Sequence, residues 1–372
     1  MNPSRRTPAT FHSLSRLPLL LAGVASVVGL GLSAPAGAAD ASAMALTGTD
    51  YKADRDMGEV LKALAGLNGK PIETLEPAEA RKQPTPTDAV MAVLKSKGKD
   101  TDPLKLVKGV TSVDREVPGA AGNIPARVYT PSGKGPFPVV LYTHGGGWVI
   151  ADKDVYDGGA RGLSKTANAI VVSIDYRRSP EAKFPAAWDD TLAAYRWVAA
   201  NAASMNGIPS KLALAGESAG GNLAISTAIA AKKANLQAPL AVVAVYPVAQ
   251  TGDLSTPSYV DSATAKPLNK AMIGWFVDKL FAKPADKADP RVDLVHADLA
   301  GLPPVTVINA QIDPLRSDGD LITDALKKAG VTVEHKVYTG VTHEFFGMAA
   351  VVDKAEEAQE YAGKQLKKAF DR

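Results

Sequence analysis

Beyond Gly109, the chain alternates between short apolar runs and stretches with helical spacing, and this alternation limits the possible folds more than any other feature. The apolar runs have the length of strands and are apolar almost throughout, which is typical of strands buried on both faces of a parallel sheet. They cover 137–143, 169–175, 212–215, 240–246, 305–309 and 331–338, and helical patterns cover 191–203, 219–233, 269–281, 321–329 and 355–370. Two further strands, 111–117 and 123–130, predict an antiparallel hairpin. The pattern predicts an α/β fold with a mostly parallel sheet and helices on both faces.

Two segments fall outside this alternation. Residues 40–110 show helical spacing interrupted by prolines, and short amphipathic helices of this kind need a surface on which to pack. The connection from 248 to about 302 is too long for a simple crossover. Long connections inside a domain are usually functional, and many of them are lids.

The first 39 residues have the composition of an export signal. They contain three arginines and no acidic residue, followed by an apolar run at 17–32 and a stretch of small residues at 33–39. This is the order of regions in a secretory signal peptide. We expect cleavage after Ala38 or Ala39, which would place the mature protein in the periplasm or outside the cell. The alternative is an uncleaved membrane anchor, since the apolar run is only slightly shorter than a membrane span.

The rest of the chain excludes several classes of function. Its 39 basic and 39 acidic residues balance, so it lacks the charge excess with which proteins bind nucleic acid or an anionic membrane. It has no cysteine, which excludes disulfides, thiolate metal sites and thiol nucleophiles. A hydrophobic fraction of 46% with 22% charged residues is typical of a globular protein and excludes a disordered chain.

The strongest chemical motif is Gly216-Glu217-Ser218-Ala219-Gly220. It lies between a predicted strand and a predicted helix, which is the context that a G-x-S-x-G nucleophile elbow requires. The flanking glycines permit a sharp turn, and the Ala219 amide at the helix start could stabilise a developing oxyanion. A glycine-rich turn that merely begins a helix is the alternative interpretation.

A second motif, His144-Gly145-Gly146-Gly147, follows the strand at 137–143. A glycine run after a strand can also hold a phosphate, but the phosphate-binding signatures G-x-x-x-x-G-K-[ST] and G-x-G-x-x-G are absent. An H-G-G-G loop that supplies amides to an oxyanion explains the pattern better. His144 itself is then expected to orient the loop rather than to act in catalysis.

A serine nucleophile needs a base, which is usually a histidine held by a carboxylate. His343 follows the last predicted strand in a short loop, from which it could reach the elbow. The remaining histidines lie in the export signal, the glycine loop, the long connection and a strand: His12, His144, His296 and His335. The stretch begins like a zinc-binding H-E-x-x-H motif, but Gly347 replaces the second histidine, so a metal site is not predicted.

The predicted acid is Asp313, which follows the strand at 305–309, because the loops after strands carry the chemistry of open α/β sheets. Asp318 and Asp320 are nearby alternatives that we interpret as caps of the following helix. The resulting chain order is Ser218, Asp313, His343, which is the order found in α/β-hydrolases.

These motifs together resemble the bacterial hormone-sensitive-lipase-like esterases, also called family IV lipolytic enzymes. The resemblance extends from about 123 to 348 and includes 144–147, 175–177, 180–181, 184–186, 216–221, 301–304, 313–319 and His343. It implies an α/β-hydrolase fold, a helical cap, and hydrolysis of short- to medium-chain carboxylic esters without cofactor or metal. It also assigns the oxyanion hole to the amides of Gly145, Gly146, Ala219 and, as a further donor, Gly147. Glu217 departs from the Asp or Thr that most members carry before the serine.

The sequence pattern and the resemblance together suggest a division into parts. Residues 1–39 are the signal peptide, 40–110 belong to the cap, and 111–372 form the catalytic domain with a cap insertion at about 250–300. Trp148, Trp275 and Phe276 are candidates for the substrate pocket, and filling the cap's own core is the alternative role for them. The expected partner is a small ester. Cleavage of amides, lactones or polyesters by the same three residues is an alternative, as is a non-catalytic ligand-binding protein on this fold.

Overall fold

A computed structural model describes residues 51–372, whose centre is a single eight-stranded sheet. The predicted signal peptide, residues 1–39, lies outside the described residues. The strands are β1 (Val110–Gly119), β2 (Gly122–Pro131), β3 (Phe137–Thr143), β4 (Ile170–Ile174), β5 (Gly207–Glu217), β6 (Val242–Val245), β7 (Val305–Ile312) and β8 (Val333–Thr342).

The strand order across the sheet is β1-β2-β4-β3-β5-β6-β7-β8. The hairpin of β1 and β2 is antiparallel, β2 is antiparallel to β4, and all other neighbours are parallel. The predicted fold class, α/β with a mostly parallel sheet, is therefore confirmed. Since the parallel strands end on the same edge, the loops after β3, β5, β7 and β8 meet there.

Eleven α-helices are found among the described residues. They are α1 (Arg55–Gly66), α2 (Pro77–Ala80), α3 (Pro86–Ser96), α4 (Pro103–Leu106), α5 (Asp157–Ala167), α6 (Ala186–Asn201), α7 (Ala219–Lys233), α8 (Pro257–Asp261), α9 (Lys270–Leu280), α10 (Arg316–Lys328) and α11 (Asp353–Phe370). Short 3₁₀ helices cover Ile72–Thr74, Ala202–Met205, Pro284–Ala288, Leu294–His296 and Phe345–Met348. Within residues 51–372, none of the helices combines the length and the apolar character that crossing a bilayer requires.

Both faces of the sheet are buried, which explains why its strands are apolar throughout. In β3, Val140 and Tyr142 pack in one core with α5 and α11, whereas Val139 and Leu141 pack in a second core with α6, α7 and α10. Successive residues of a strand point to opposite faces. A strand covered on both sides therefore needs an apolar residue at every position.

The N-terminal helices pack onto this body through their apolar faces. In α3, a capping box fixes the start: Thr85 Oγ1 accepts from the Asp88 amide, and the Asp88 carboxylate accepts from the Thr85 amide. Pro86 is the first helical residue, where the missing N–H costs nothing. One face of α3 is buried in the same core as α5 and α11: Ala89, Val90, Val93 and Leu94.

A third apolar cluster joins the two segments that lie outside the strand–helix alternation. Trp275 and Phe276 of α9 pack in it together with the partly buried Ile72 and Leu75 of the N-terminal segment. The indole N–H of Trp275 donates to the carbonyl oxygen of Leu75 at 3.1 Å. The N-terminal segment and the β6–β7 connection are therefore packed against each other.

Candidate active site

Ser218 stands at a sharp turn between β5 and α7. Its backbone dihedrals are φ 57° and ψ −119°, a conformation that costs a non-glycine residue about 1–3 kcal/mol. The turn fits only because Gly220 has no side chain, since a Cβ atom there would lie 2.0 Å from the carbonyl oxygen of Thr143. The elbow therefore holds the serine hydroxyl at the carboxyl edge of the sheet.

The structure brings Ser218, His343 and Asp313 together, although they lie far apart in the chain. His343 Nε2 is 3.0 Å from Ser218 Oγ, and His343 Nδ1 is 2.7 Å from Asp313 Oδ2. All three side chains are buried. The second oxygen of Asp313 accepts from the Leu315 amide at 2.8 Å, which fixes the carboxylate toward the imidazole.

The surroundings of His343 favour its charged form. Burial by itself lowers the pKa of His343, but the carboxylate of Asp313, with smaller contributions from Glu344 and Glu217, raises it above the ordinary value. An imidazole of this kind can take a proton from Ser218 because the resulting imidazolium is stabilised.

The glycine loop lies next to the elbow. Four backbone amides here donate no hydrogen bond to any residue in the 51–372 range: those of Gly145, Gly146 and Gly147 in the loop, and that of Ala219 after the serine. They are therefore free to bind a ligand oxygen. Gly146 and Gly147 have positive φ values of 88° and 58°, and a Cβ on Gly146 would lie 2.3 Å from the Ile150 carbonyl oxygen.

His144 is buried beneath this loop, and within residues 51–372 it makes no hydrogen bond to Ser218. Its Nδ1 lies 2.8 Å from the carbonyl oxygen of Gly145, and its ring stacks on Tyr176 with centroids 4.3 Å apart. Tyr176 in turn donates to the carbonyl oxygen of His144 at 2.9 Å. Burial lowers the pKa of His144. These contacts are those of a residue that holds the loop.

A cavity of about 430 Å³ opens above Ser218 and His343. This volume lies within the usual range for small-molecule sites. The N-terminal segment contributes Leu61, Leu64, Ile72 and Glu73 to its wall, the glycine loop contributes Gly146 and Gly147, and the β6–β7 connection contributes Leu268, Met272 and Phe276.

The three aromatic pocket candidates occupy different positions relative to the cavity. Phe276 lines the cavity, whereas Trp148 and Trp275 do not. Trp148 is buried and stacks on Trp188 with ring centroids 5.2 Å apart, and Trp275 is turned toward Leu75. The pocket role predicted for Trp148 and Trp275 is therefore corrected to packing in the third apolar cluster. Trp188 is buried, and Trp197 is partly buried.

The cap role predicted for Asp318 and Asp320 is also wrong. Helix α10 begins at Arg316 and its N-cap is Leu315, so both aspartates lie inside the helix. Asp318 is buried and its Oδ2 accepts from the amides of Ala249 and Gln250. Burial raises the pKa of Asp318 to about 7. The side chain thus holds the chain after β6 rather than the start of α10.

Sequence reasoning missed a group of buried polar residues beside the imidazole. Glu217 hydrogen-bonds to the hydroxyls of Tyr142 and Tyr246. Glu344 accepts from the hydroxyl of Tyr156 at 2.6 Å. Burial, followed by the charge of Glu344, raises the pKa of Glu217 to about 8. The unusual glutamate before the serine was the available signal, but its tyrosine partners come from other parts of the chain.

No group of three or more potential metal ligands occurs among residues 51–372. The arrangement at this edge can carry out nucleophilic attack by Ser218, proton transfer by His343 and stabilisation of an oxyanion by backbone amides.

Comparison with known proteins agrees with this description. A family profile described as the alpha/beta hydrolase fold matches residues 140–347. Carboxylesterase NlhH of Mycobacterium tuberculosis is 39% identical over 253 residues, which cover 67% of this chain and 79% of that protein. Ethyl acetate hydrolase of Pseudomonas putida is 31% identical over 312 residues, covering 82% and 92%. Among solved structures, a thermostable esterase from Pseudomonas putida superposes with a TM-score of 0.76 at 30% identity, covering 87% and 99%.

The chain therefore belongs to the α/β-hydrolase family. Within that family, the resemblance to the hormone-sensitive-lipase-like, family IV esterases is confirmed by these relatives.

Proposed function

We propose that this protein is a serine carboxylesterase that hydrolyses short- to medium-chain carboxylic esters through an acyl-enzyme intermediate. The observation that carries the proposal is the continuous hydrogen-bonded series from Ser218 Oγ through His343 to Asp313, at 3.0 and 2.7 Å, at the floor of a cavity. The relatives named as carboxylesterases and as an ethyl acetate hydrolase support ester hydrolysis as the activity.

In the first half-reaction, Ser218 Oγ attacks the ester carbonyl carbon while His343 Nε2 accepts the hydroxyl proton. Asp313 holds Nδ1–H and stabilises the imidazolium. The carbonyl oxygen becomes an oxyanion, which the free amides of Gly145, Gly146 and Ala219 bind, with Gly147 as a further donor. His343 then gives its proton to the alcohol oxygen, and the C–O bond of the ester breaks.

In the second half-reaction, water takes the place of the alcohol. His343 accepts a proton from this water, which attacks the acyl carbon and forms the same kind of oxyanion. When this intermediate collapses, the proton returns to Ser218 Oγ and the carboxylic acid leaves.

The cavity supports a small, partly apolar ester as substrate. Leu61, Leu64, Met272 and Phe276 supply apolar wall, and a volume of about 430 Å³ suits an ester of this size. We further propose that residues 40–110 and the insertion at about 250–300 act together as the cap that shapes this cavity. The packing of Trp275 against Leu75 supports that division.

The test is the turnover of a graded series of p-nitrophenyl esters, from acetate to dodecanoate, with a matched anilide and a lactone alongside. We expect kcat/KM to be highest for acyl chains of roughly two to eight carbons, because the volume of the cavity limits the length of chain that it can hold. A kcat/KM for the anilide or the lactone that exceeds the value for every ester would favour an amidase or lactonase. Absence of turnover with every compound would favour a ligand-binding role.

We also propose that the protein is exported and that its signal peptide is removed. The order of basic, apolar and small residues in 1–39 supports this. Expression of the whole chain in a Gram-negative host, followed by fractionation and N-terminal sequencing, tests it. A mature protein beginning at residue 39 or 40 is expected outside the inner membrane. A full-length protein that stays in the membrane fraction would instead indicate an anchor.

A further inference from the structure

Glu344 follows His343 in the chain, and its carboxylate lies beside the imidazole. Its Oε1 is 3.8 Å from His343 Nε2 and accepts a hydrogen bond from the Tyr156 hydroxyl at 2.6 Å. The side chain is 18% exposed and lines the cavity. Glu344 therefore faces the nitrogen that contacts Ser218, while Asp313 faces the opposite nitrogen.

A second carboxyl group, that of Glu217, lies close by and is buried between the hydroxyls of Tyr142 and Tyr246. Two neighbouring carboxyl groups in a buried site do not both ionise readily. Burial and the charge of Glu344 raise the pKa of Glu217 to about 8, so Glu217 keeps its proton at neutral pH. Burial also raises the pKa of Glu344, whereas the charge of His343 and the hydrogen bond from Tyr156 oppose that rise. Glu344, which lies next to the cavity and the imidazole, is therefore the better placed of the two to carry negative charge.

We propose that Glu344 is a positioning residue for the esterase reaction, with its carboxylate stabilising the imidazolium form of His343. This inference rests on the proposed function, because it concerns the base of that reaction. It assigns a role to a residue whose side chain lies outside the Ser218–His343–Asp313 series.

The titratable groups that face His343 come from several elements. Asp313 follows β7, Glu217 and Ser218 belong to the elbow, and Glu344 follows His343 itself. Tyr246, which follows β6, has its ring centroid 4.4 Å from that of the imidazole, and burial raises the pKa of its hydroxyl well above the ordinary value. Asp313 and Glu344 are thus the two acids of this set whose oxygens face the imidazole nitrogens, at 2.7 and 3.8 Å. A unit charge at 3.8 Å shifts a pKa by about one unit or more.

The experiment is the pH profile of kcat/KM with p-nitrophenyl acetate for the wild type, Glu344→Gln and Glu344→Asp. Glu344→Gln removes the charge at nearly constant volume. We expect its acidic limb to move about one unit toward lower pH, and kcat on the plateau to fall about tenfold. Glu344→Asp keeps a more distant charge and should show a smaller shift. Glu334→Gln, a half-exposed acid on β8, is the matched control and should follow the wild type.

Glu217→Gln tests the assignment of charge within the pair. An amide replaces a carboxyl group that is already neutral, so the acidic limb should stay where the wild type has it. A shift equal to that of Glu344→Gln would place the charge on Glu217 and overturn the assignment.

A second readout does not depend on activity. In a Ser218→Ala background, NMR titration of the His343 ring should give a lower pKa when Glu344 is replaced by Gln. A reduced kcat with an unmoved limb and an unmoved NMR titration would mean a purely structural role and would overturn the proposal. A wild type that hydrolyses no ester would instead refute the proposed function, and the NMR titration would still test the effect of Glu344.

Discussion

The ring of Phe276 lies directly over Gly147, so closely that a Cβ atom on this glycine would stand 2.3 Å from the ring. This contact joins α9 in the β6–β7 connection to the glycine loop beside the nucleophile. Because Phe276 also lines the cavity, its ring limits the space above Ser218.

Replacing Phe276 by Ala should therefore extend the range of accepted acyl chains. The space released can hold about two more methylene groups, each worth ~0.8 kcal/mol on burial. The ratio of kcat/KM for p-nitrophenyl octanoate to that for the acetate should rise about tenfold. A Trp275→Phe variant is the control, since this neighbour packs away from the cavity: it should lower the melting temperature and leave the ratio unchanged. An unchanged ratio in Phe276→Ala would show that the ring does not limit the substrate.

Ser218→Ala should lower kcat by a factor of about 10⁴–10⁶ while the fold is retained, because it removes the nucleophile of the triad. The backbone strain at this position gives a second, independent expectation. Ala keeps the unfavourable positive φ, whereas Gly adopts it freely. Ser218→Gly should therefore be more stable toward urea than Ser218→Ala by about 1 kcal/mol. Equal stabilities would contradict the strained conformation.

The rate of ester hydrolysis should decline as the pH falls, because His343 must be neutral to accept a proton. Burial alone lowers its pKa, but Asp313 and the neighbouring acids raise it, so the midpoint of the acidic limb should lie above about 6.5. Asp313→Asn removes the largest of the raising contributions. It should move the limb to lower pH and reduce kcat by about 10⁴, as measured with p-nitrophenyl acetate between pH 5 and 9. A rate independent of pH in this interval would argue against His343 as the base.

The titration of the buried Asp318 should make the stability of the protein depend on pH. Its pKa in the folded state is raised to about 7 by burial, whereas an exposed aspartate titrates near 3.9. The folded state therefore binds more protons than the unfolded state between about pH 4 and pH 7, and the free energy of unfolding decreases as the pH rises through this window.

In Asp318→Asn this contribution is absent. Urea unfolding at pH 5 and pH 8 should show that the variant loses less stability between the two than the wild type, by roughly 2–4 kcal/mol. Asp324→Asn, on an exposed position of the same helix, is the matched control and should lose about as much as the wild type. Parallel curves for the wild type and Asp318→Asn would mean that Asp318 titrates normally.

The strands and the three proposed catalytic residues could be predicted because their signals are local. Strand β3 covers 137–143 and helix α7 covers 219–233, as the apolar pattern indicates. A doubly covered strand needs an apolar residue at each position, which few other structures require. Ser218, Asp313 and His343 each follow a strand, and parallel strands bring such residues to one edge.

Helix α5 could not be predicted in this way because its sequence contains three glycines, which disfavour helices. The structure explains these glycines, because residues from distant parts of the chain pack closely against them. A Cβ atom on Gly158 would collide with the Gly347 carbonyl oxygen, and one on Gly162 would collide with the side chain of Gln359. Close packing against these partners outweighs the local preference, and a sequence pattern does not display it.

The sequence could not separate Phe276, which lines the cavity, from Trp275, which does not, for a related reason. Trp275 and Phe276 are neighbours on α9, so their side chains point about 100° apart around the helix axis. Which of the two meets the cavity depends on how α9 is rotated against the N-terminal segment. That rotation is fixed by contacts such as the one from Trp275 to Leu75, which join residues far apart in the chain.

The cavity takes part of its wall from Leu61 and its proton acceptor from His343, which lie far apart in the chain. A nascent polypeptide of between 218 and 342 residues has the hydroxyl of Ser218 but lacks the imidazole that would deprotonate it. Ester hydrolysis by this route therefore requires translation to have passed residue 343, so a chain interrupted between these two positions should be inactive.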